Sequence, residues 1–183
     1  IEALAARIEA TGDTGVAGLP PIERIPRDSG LEGGLPLTFA QERVWFLNQL
    51  APGSIAYNFQ FTIRCAGALD PEALRRALGE IVRRHEALRT SFPIAGGEPF
   101  QSIAPFADFR LAGIDLSLLP EDRREAEAWR IGDAGARHPF DLERGPLLRL
   151  LLLHLWDEEH VLFLVVHHLV FDGWSTAVFL REL

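Results

Sequence analysis

The sequence predicts a mixed α/β lobe, a β-sheet sandwiched with helices, and three observations carry that class. Tyr57–Ala66 alternates, with Phe59, Phe61, Ile63 and Cys65 on one side and Asn58, Gln60, Thr62 and Arg64 on the other, the period of a half-buried strand. Leu147–Trp156 and His160–His167 are both strongly apolar and are joined by Asp157-Glu158-Glu159, as in an antiparallel hairpin. The second of the two is apolar at successive positions, as expected of a strand at the centre of a sheet. The segments around them carry helical stripes, which need a sheet to bury against.

In chain order, Ile1, Leu4, Ala5 and Ile8 have helical spacing and read as the last helix of a preceding domain, residues 1–10. Residues 11–36 are rich in Gly and Pro, and Pro20-Pro21 and Pro26 rule out a long helix, so this stretch reads as a linker. The lobe itself is expected over residues 37–183. Thr38 with Gln41 makes a capping box for a helix marked by Phe39, Val44, Leu47 and Leu50, ending before Pro52. Asp70-Pro71 supplies N-cap and first residue of a second helix, with a stripe of Leu74, Leu78, Ile81, Val82 and Leu88, running to about Arg89. Short strands are expected near Ser91–Ile94 and Phe100–Ile103, around a Gly96-Gly97 turn, and a helix over Glu121–Arg137. A last helix is expected over Trp174–Leu183.

Composition excludes several functions. The 183 residues carry 18 basic and 26 acidic side chains, a net charge of −8, with the basic residues scattered, so no face is built for a nucleic-acid backbone. A single cysteine, Cys65, excludes a disulfide scaffold and reads as a small buried hydrophobe. The apolar runs are far shorter than the ~20 residues that span a bilayer, and no leader pattern opens the sequence, so the expected location is cytoplasmic. There is no Met, so the chain is expected to be a segment of a longer polypeptide, and the absence of Lys suggests a GC-rich bacterial genome. Trp45, Trp129 and Trp156 are expected as core or interface anchors, and His154 and His160, flanking the hairpin turn, as solvated.

The stretch that carries chemistry is Val166-His167-His168-Leu169-Val170-Phe171-Asp172-Gly173-Trp174-Ser175. Two histidines end a buried strand, where a rigid sheet can hold a side chain at the edge of a cavity. Consecutive strand residues point to opposite faces, so one histidine packs inward and the other faces out. Adjacent strand residues also chelate poorly, so no metal site is expected. His168 is a candidate general base. Asp172, if buried, needs a partner, and Arg83-Arg84-His85-Glu86-Ala87-Leu88-Arg89 supplies candidates. A core histidine pair with a turn-capping aspartate is the bland reading of the same residues.

His167-His168-Leu169-Val170-Phe171-Asp172-Gly173 resembles the HHxxxDG signature of the condensation domains of nonribosomal peptide synthetases. Leu37–Leu50, with its Ala-Gln-x-Arg-x-Trp, resembles the first motif of that family, and Arg84–Phe92 its second, RHExLRTxF. His138–Leu142 with Gly145–Arg149 resembles a further recurrent stretch, and Leu19–Arg27 the linker that precedes such domains. The resemblance implies the N-terminal lobe of a fold like that of chloramphenicol acetyltransferase, with the C-terminal lobe of the same domain absent. It also implies amide-bond formation between aminoacyl or peptidyl thioesters. Both ride on phosphopantetheine arms of upstream donor and downstream acceptor carrier domains, so no cofactor is bound directly; residues 1–10 would close the preceding carrier.

The same resemblance assigns roles. His168 is the catalytic position, as general base or as the group that orients the amine. His167 is structural. Asp172 is structural too, paired with Arg89 in preference to Arg84. Gly173 lets backbone approach the reacting centre, and Trp174 lines the channel or packs in the core. The Asp172–Thr176 run and Tyr57-Asn58 favour the subtype joining two L residues. The alternatives are an acyltransferase of the same superfamily using a soluble thioester, and a non-catalytic lobe on which carriers dock.

Overall fold

The computed structural model describes residues 34–183; the expected helix at 1–10 and the linker up to residue 33 lie outside the described residues. Helix α1 spans Phe39–Leu50, strand β1 Asn58–Ala66, helix α2 Pro71–Arg84 and a 3₁₀ turn Glu86–Arg89. Four two-residue strands follow: β2 (Thr90–Ser91), β3 (Ile94–Ala95), β4 (Glu98–Pro99) and β5 (Ser102–Ile103). Then come β6 (Ala112–Asp115), helix α3 (Glu121–Ala136), β7 (Leu148–Trp156), β8 (Glu159–His167) and helix α4 (Gly173–Glu182).

The main sheet is mixed, in the order β1-β8-β7-β6, antiparallel except for the parallel β6–β7 pair. β8 is therefore interior, and eight of its nine residues are buried (pattern iBBBBBBBB). Its residues feed three apolar clusters, one on one face and two on the other. Leu162, Leu164 and Val166 pack with Leu78 and Ile81 of α2 and Phe171 and Phe179 around α4. Val161 and Phe163 pack with Ala128 of α3, and Val165 with Phe140, Leu147 and Leu169 beside α1. Burying each such side chain stabilises by about 1.5–3 kcal/mol, so β8 is the best-anchored platform in the lobe.

Local chemistry explains the helix ends. Thr38 and Gln41 form the expected reciprocal capping box on α1. Asp70 accepts from the N–H groups of Glu72 and Ala73, and Pro71 opens α2. α2 stops at Arg84 rather than near Arg89, because His85 leaves helical geometry (φ −97°, ψ 96°) and the chain tightens into the 3₁₀ turn. Gly96 and Gly97 turn with positive φ, in keeping with the sequence.

Three expectations are corrected. β6 has no counterpart among the elements expected from periodicity. His160 is buried, not solvated, and stacks on His154 across the hairpin with ring centroids 4.7 Å apart. Trp129, expected as a core or interface anchor, is not in the core: it is 55% exposed, with its ring edge-on to Phe163. α1, for its part, is apolar on two sides: Val44 and Trp45 pack inward, while Phe39, Phe46 and Leu50 face out.

Candidate active site

The two histidines sit where the central strand ends, and the sheet separates them as the alternation rule requires. His167, the last residue of β8, is 1% exposed. Its N–H donates to Leu147 O at 3.0 Å, and its Nδ1 accepts from the Leu169 N–H at 3.2 Å. The ring lies against Phe140 and Tyr57. Burial, reinforced by the neighbouring His168, lowers its pKa to about 4, so at neutral pH it is an uncharged, buried ring.

His168 is the first residue past the strand and is exposed. Its N–H donates to Tyr57 O at 2.9 Å, and its ring stands edge-on to Phe59 with centroids 6.3 Å apart. A rigid backbone, one aromatic wall and an open side are what a group acting on an external substrate needs.

Asp172 departs from expectation. It is exposed, not buried, and forms no ion pair with Arg89 or Arg84 among the described residues. It is the N-cap of α4: its Oδ1 accepts from Ser175 N–H at 2.8 Å and from Ser175 Oγ at 2.6 Å. Those bonds hold its carboxyl below the ordinary aspartate range, with a smaller contribution from the His168 imidazole.

The arginines are placed otherwise. Arg89 donates to the carbonyls of Val82, Arg83 and Ala104, fastening the end of α2 to the following loop. Arg84 reaches Glu182 at 3.1 Å, and His85 Nε2 meets the same carboxylate at 2.9 Å. The second motif is thus tied to α4 at its far end, not at the motif aspartate.

Gly173 is the first residue of α4, and a Cβ built there would meet nothing within 4 Å, so its surroundings are open. Trp174 is 82% exposed and borders a cavity of about 260 Å³ between α2 and α4, lined also by Ile81, His85, Phe171 and Phe179. The core alternative for Trp174 is therefore wrong for this lobe.

Two residues of the site stand out in the sequence for other reasons. Gln41, a capping residue, also donates to Leu169 O at 3.2 Å, joining α1 to the histidine loop. Tyr57, at the head of the alternating stretch, carries the carbonyl that holds His168. Main-chain acceptors leave no residue-type signal. Among the described residues no group of three or more His, Cys, Asp or Glu side chains is arranged to hold a metal ion, and no helix is long and apolar enough to cross a membrane.

The architecture and site define an α/β lobe that presents one exposed histidine from the end of its central strand. Residues 31–183 match the model of the condensation domain family, and the chain belongs to that family. Phosphinothricin tripeptide synthetase PhsC of Streptomyces viridochromogenes is 48% identical over 163 residues, covering 89% of this chain and 15% of that protein. Chondramide synthase cmdD of Chondromyces crocatus is 52% identical over 148 residues, covering 81% of this chain and 4% of that protein. The first condensation domain of the calcium-dependent antibiotic synthetase superimposes with a TM-score of 0.73 at 33% identity, over 81% of this chain and 36% of that one. The starter condensation domain of the rhizomide synthetase RzmA shares the fold, with a TM-score of 0.74 at 24% identity. The chain is homologous to the N-terminal part of such domains and spans about a third of the solved ones.

Proposed function

We propose that this chain is the N-terminal half of a condensation domain that joins two carrier-bound thioesters through an amide bond. The amine nitrogen of an acceptor aminoacyl thioester attacks the thioester carbonyl of a donor aminoacyl or peptidyl group. A C–N bond forms, the C–S bond breaks, the amine loses a proton, and the donor carrier's phosphopantetheine thiol is released. His168 holds the attacking amine and is placed to receive its proton. The single observation that carries this reading is the division of labour at the end of β8: a buried, neutral His167 beside an exposed His168 fixed by the backbone. Both substrates ride on separate carrier domains, so the cofactor arms belong to the partners.

The reaction cleft lies between this lobe and a second one. In support, Phe39, Phe46 and Leu50 of α1 and Trp174 of α4 are more than half exposed, a large apolar surface for a lobe this size. The test is His168→Ala in the intact domain, with both carriers loaded and dipeptidyl product measured. Turnover should be abolished with the melting temperature unchanged; full turnover would overturn the reading. The 183-residue chain alone should form no product.

A further inference from the structure

Three successive peptide units past the end of β8 each have their own hydrogen-bond partner. The His168 N–H donates to Tyr57 O at 2.9 Å, the Leu169 N–H donates to His167 Nδ1 at 3.2 Å, and the Leu169 C=O accepts from Gln41 Nε2 at 3.2 Å. The two units that flank the His168 Cα are thus held by the head of β1 and by the strand end itself. The third is held by a side chain of α1.

The orientation of the Gln41 amide is fixed from its other end. Its Oε1 accepts from the Thr38 N–H at 2.9 Å in the capping box, so Nε2 is the donating end. The same Nε2 reaches Gln101 Oε1 at 3.4 Å, and Gln101 is itself oriented by donating to Pro36 O at 2.7 Å. Leu169 is buried in the apolar cluster against which Val44 and Trp45 of α1 pack, so side chain and main chain tie it to the same helix. The exposed ring of His168 meets Phe59 edge-on, and its aim is set through the main chain.

We infer that Gln41 is a positioning residue for His168: its Nε2–H, donated to the Leu169 carbonyl, fastens the loop that carries the reacting imidazole to α1. The inference rests on the reading of His168 given above. His167 belongs to the same strand end and moves with it, so its hold on the Leu169 N–H does not fix the loop against the rest of the lobe. Gln41 does, because α1 is a separate element seated by Val44 and Trp45. Without that bond the Leu169 carbonyl can turn, and the peptide before it carries His168 along. A misplacement of about 1 Å can cost on the order of 100-fold in rate. The two tasks of Gln41 use different atoms: the cap needs its acceptor oxygen, the histidine loop its donor nitrogen.

Gln41→Glu separates the two tasks. A glutamate there keeps the acceptor that a capping box uses and, when ionised, has no proton to give the Leu169 carbonyl. In the intact domain with both carriers loaded, this variant should melt near the wild-type temperature. It should lower kcat about 10- to 100-fold with KM for each loaded carrier unchanged, and its amide hydrogens at residues 168–170 should exchange faster by mass spectrometry. Thr38→Ala should do the reverse, melting lower with kcat kept, because it removes the hydroxyl of the box and leaves the Leu169 bond in place. A wild-type kcat in Gln41→Glu, whatever its KM, overturns the inference. If Gln41→Glu does not fold, Gln41→Ala beside Thr38→Ala, assayed below both melting temperatures, makes the same comparison: a kcat loss confined to Gln41→Ala supports the inference, and equal kcat values overturn it. Failure of the two readings is distinguishable. Full turnover in His168→Ala sinks the assignment of His168, whereas an inactive His168→Ala beside a fully active Gln41→Glu sinks only this one.

Discussion

Asp172 and Ser175 cap α4 reciprocally: the aspartate Oδ1 accepts from Ser175 N–H and Oγ, and Ser175 Oγ accepts from Asp172 N–H at 3.3 Å. The aspartate that would have neutralised a buried arginine instead starts a helix. Its replacement therefore strands no buried charge. Asp172→Ala should cost about 1 kcal/mol, the usual value of an N-cap, and Asp172→Asn should recover most of it. Thermal melts of the three chains decide this. A loss of several kcal/mol would indicate a buried Asp–Arg pair instead.

His167 makes stability depend on pH in a window that can be named. Its folded pKa of about 4 lies below the ordinary 6.5, so the folded state disfavours the proton. The unfolded chain takes up the proton first as pH falls. Stability is thus whole above pH 6.5 and is lost as pH falls toward 4, by on the order of 3 kcal/mol for this residue. His160, whose pKa is lowered by burial and by His154, acts in the same direction. Urea titrations at about pH 7 and about pH 4 should show a smaller loss in His167→Gln than in the wild type, carboxylate contributions being common to both. Equal losses would remove His167 from the account.

Most of the fold could be read from periodicity because most of it obeys a period. The hairpin was plain because β8 is buried on both faces, and α2 because Asp70-Pro71 and the Leu78/Ile81 stripe agree. β6 escaped because Ala112-Gly113-Ile114-Asp115 is a short exposed edge strand with no alternation, held by parallel pairing to β7 from far along the chain. The same non-locality hid His160: its burial comes from its cross-strand neighbours Cys65 and His154, not from its own charged flank. At the site, strand geometry set one histidine inward and the other outward, and the family resemblance, not the geometry, pointed to His168 as the outward one. The partner of Asp172 followed from neither, because a motif aspartate at a helix start has two ordinary fates, and only coordinates distinguish a cap from an ion pair.

The activity prediction turns on which histidine is removed. His168→Ala in the intact domain should abolish dipeptide formation with an unchanged melting temperature, because the side chain is exposed and the residue is held through its backbone N–H. His167→Ala should lower the melting temperature as well, because it opens a cavity in a buried aromatic cluster with Tyr57 and Phe140. Product assays and melts on both variants read the two effects separately. Equal melting losses would contradict the division between them.

Gly132 and Gly135 lie one turn apart on α3 and should respond oppositely to the same change. A Cβ on Gly132 would come within 2.2 Å of Phe163 Cε1, and Phe163 is buried in β8 with Trp129 edge-on to its ring at 5.7 Å. That ring cannot swing away without breaking the contact that seats α3 on the sheet. Gly132→Ala should therefore destabilise by about 1–3 kcal/mol through overpacking, a fall of roughly 2–4 °C per kcal/mol in a chain this size. A Cβ on Gly135 meets nothing within 4 Å. There the same substitution only reduces the freedom of the unfolded chain and should raise stability by about 0.5–1 kcal/mol. Both positions gain the same intrinsic propensity, so the difference between the two melts isolates the close approach of α3 to β8. A Gly132→Ala chain that melts as high as Gly135→Ala would mean that α3 stands further from the sheet than Phe163 places it.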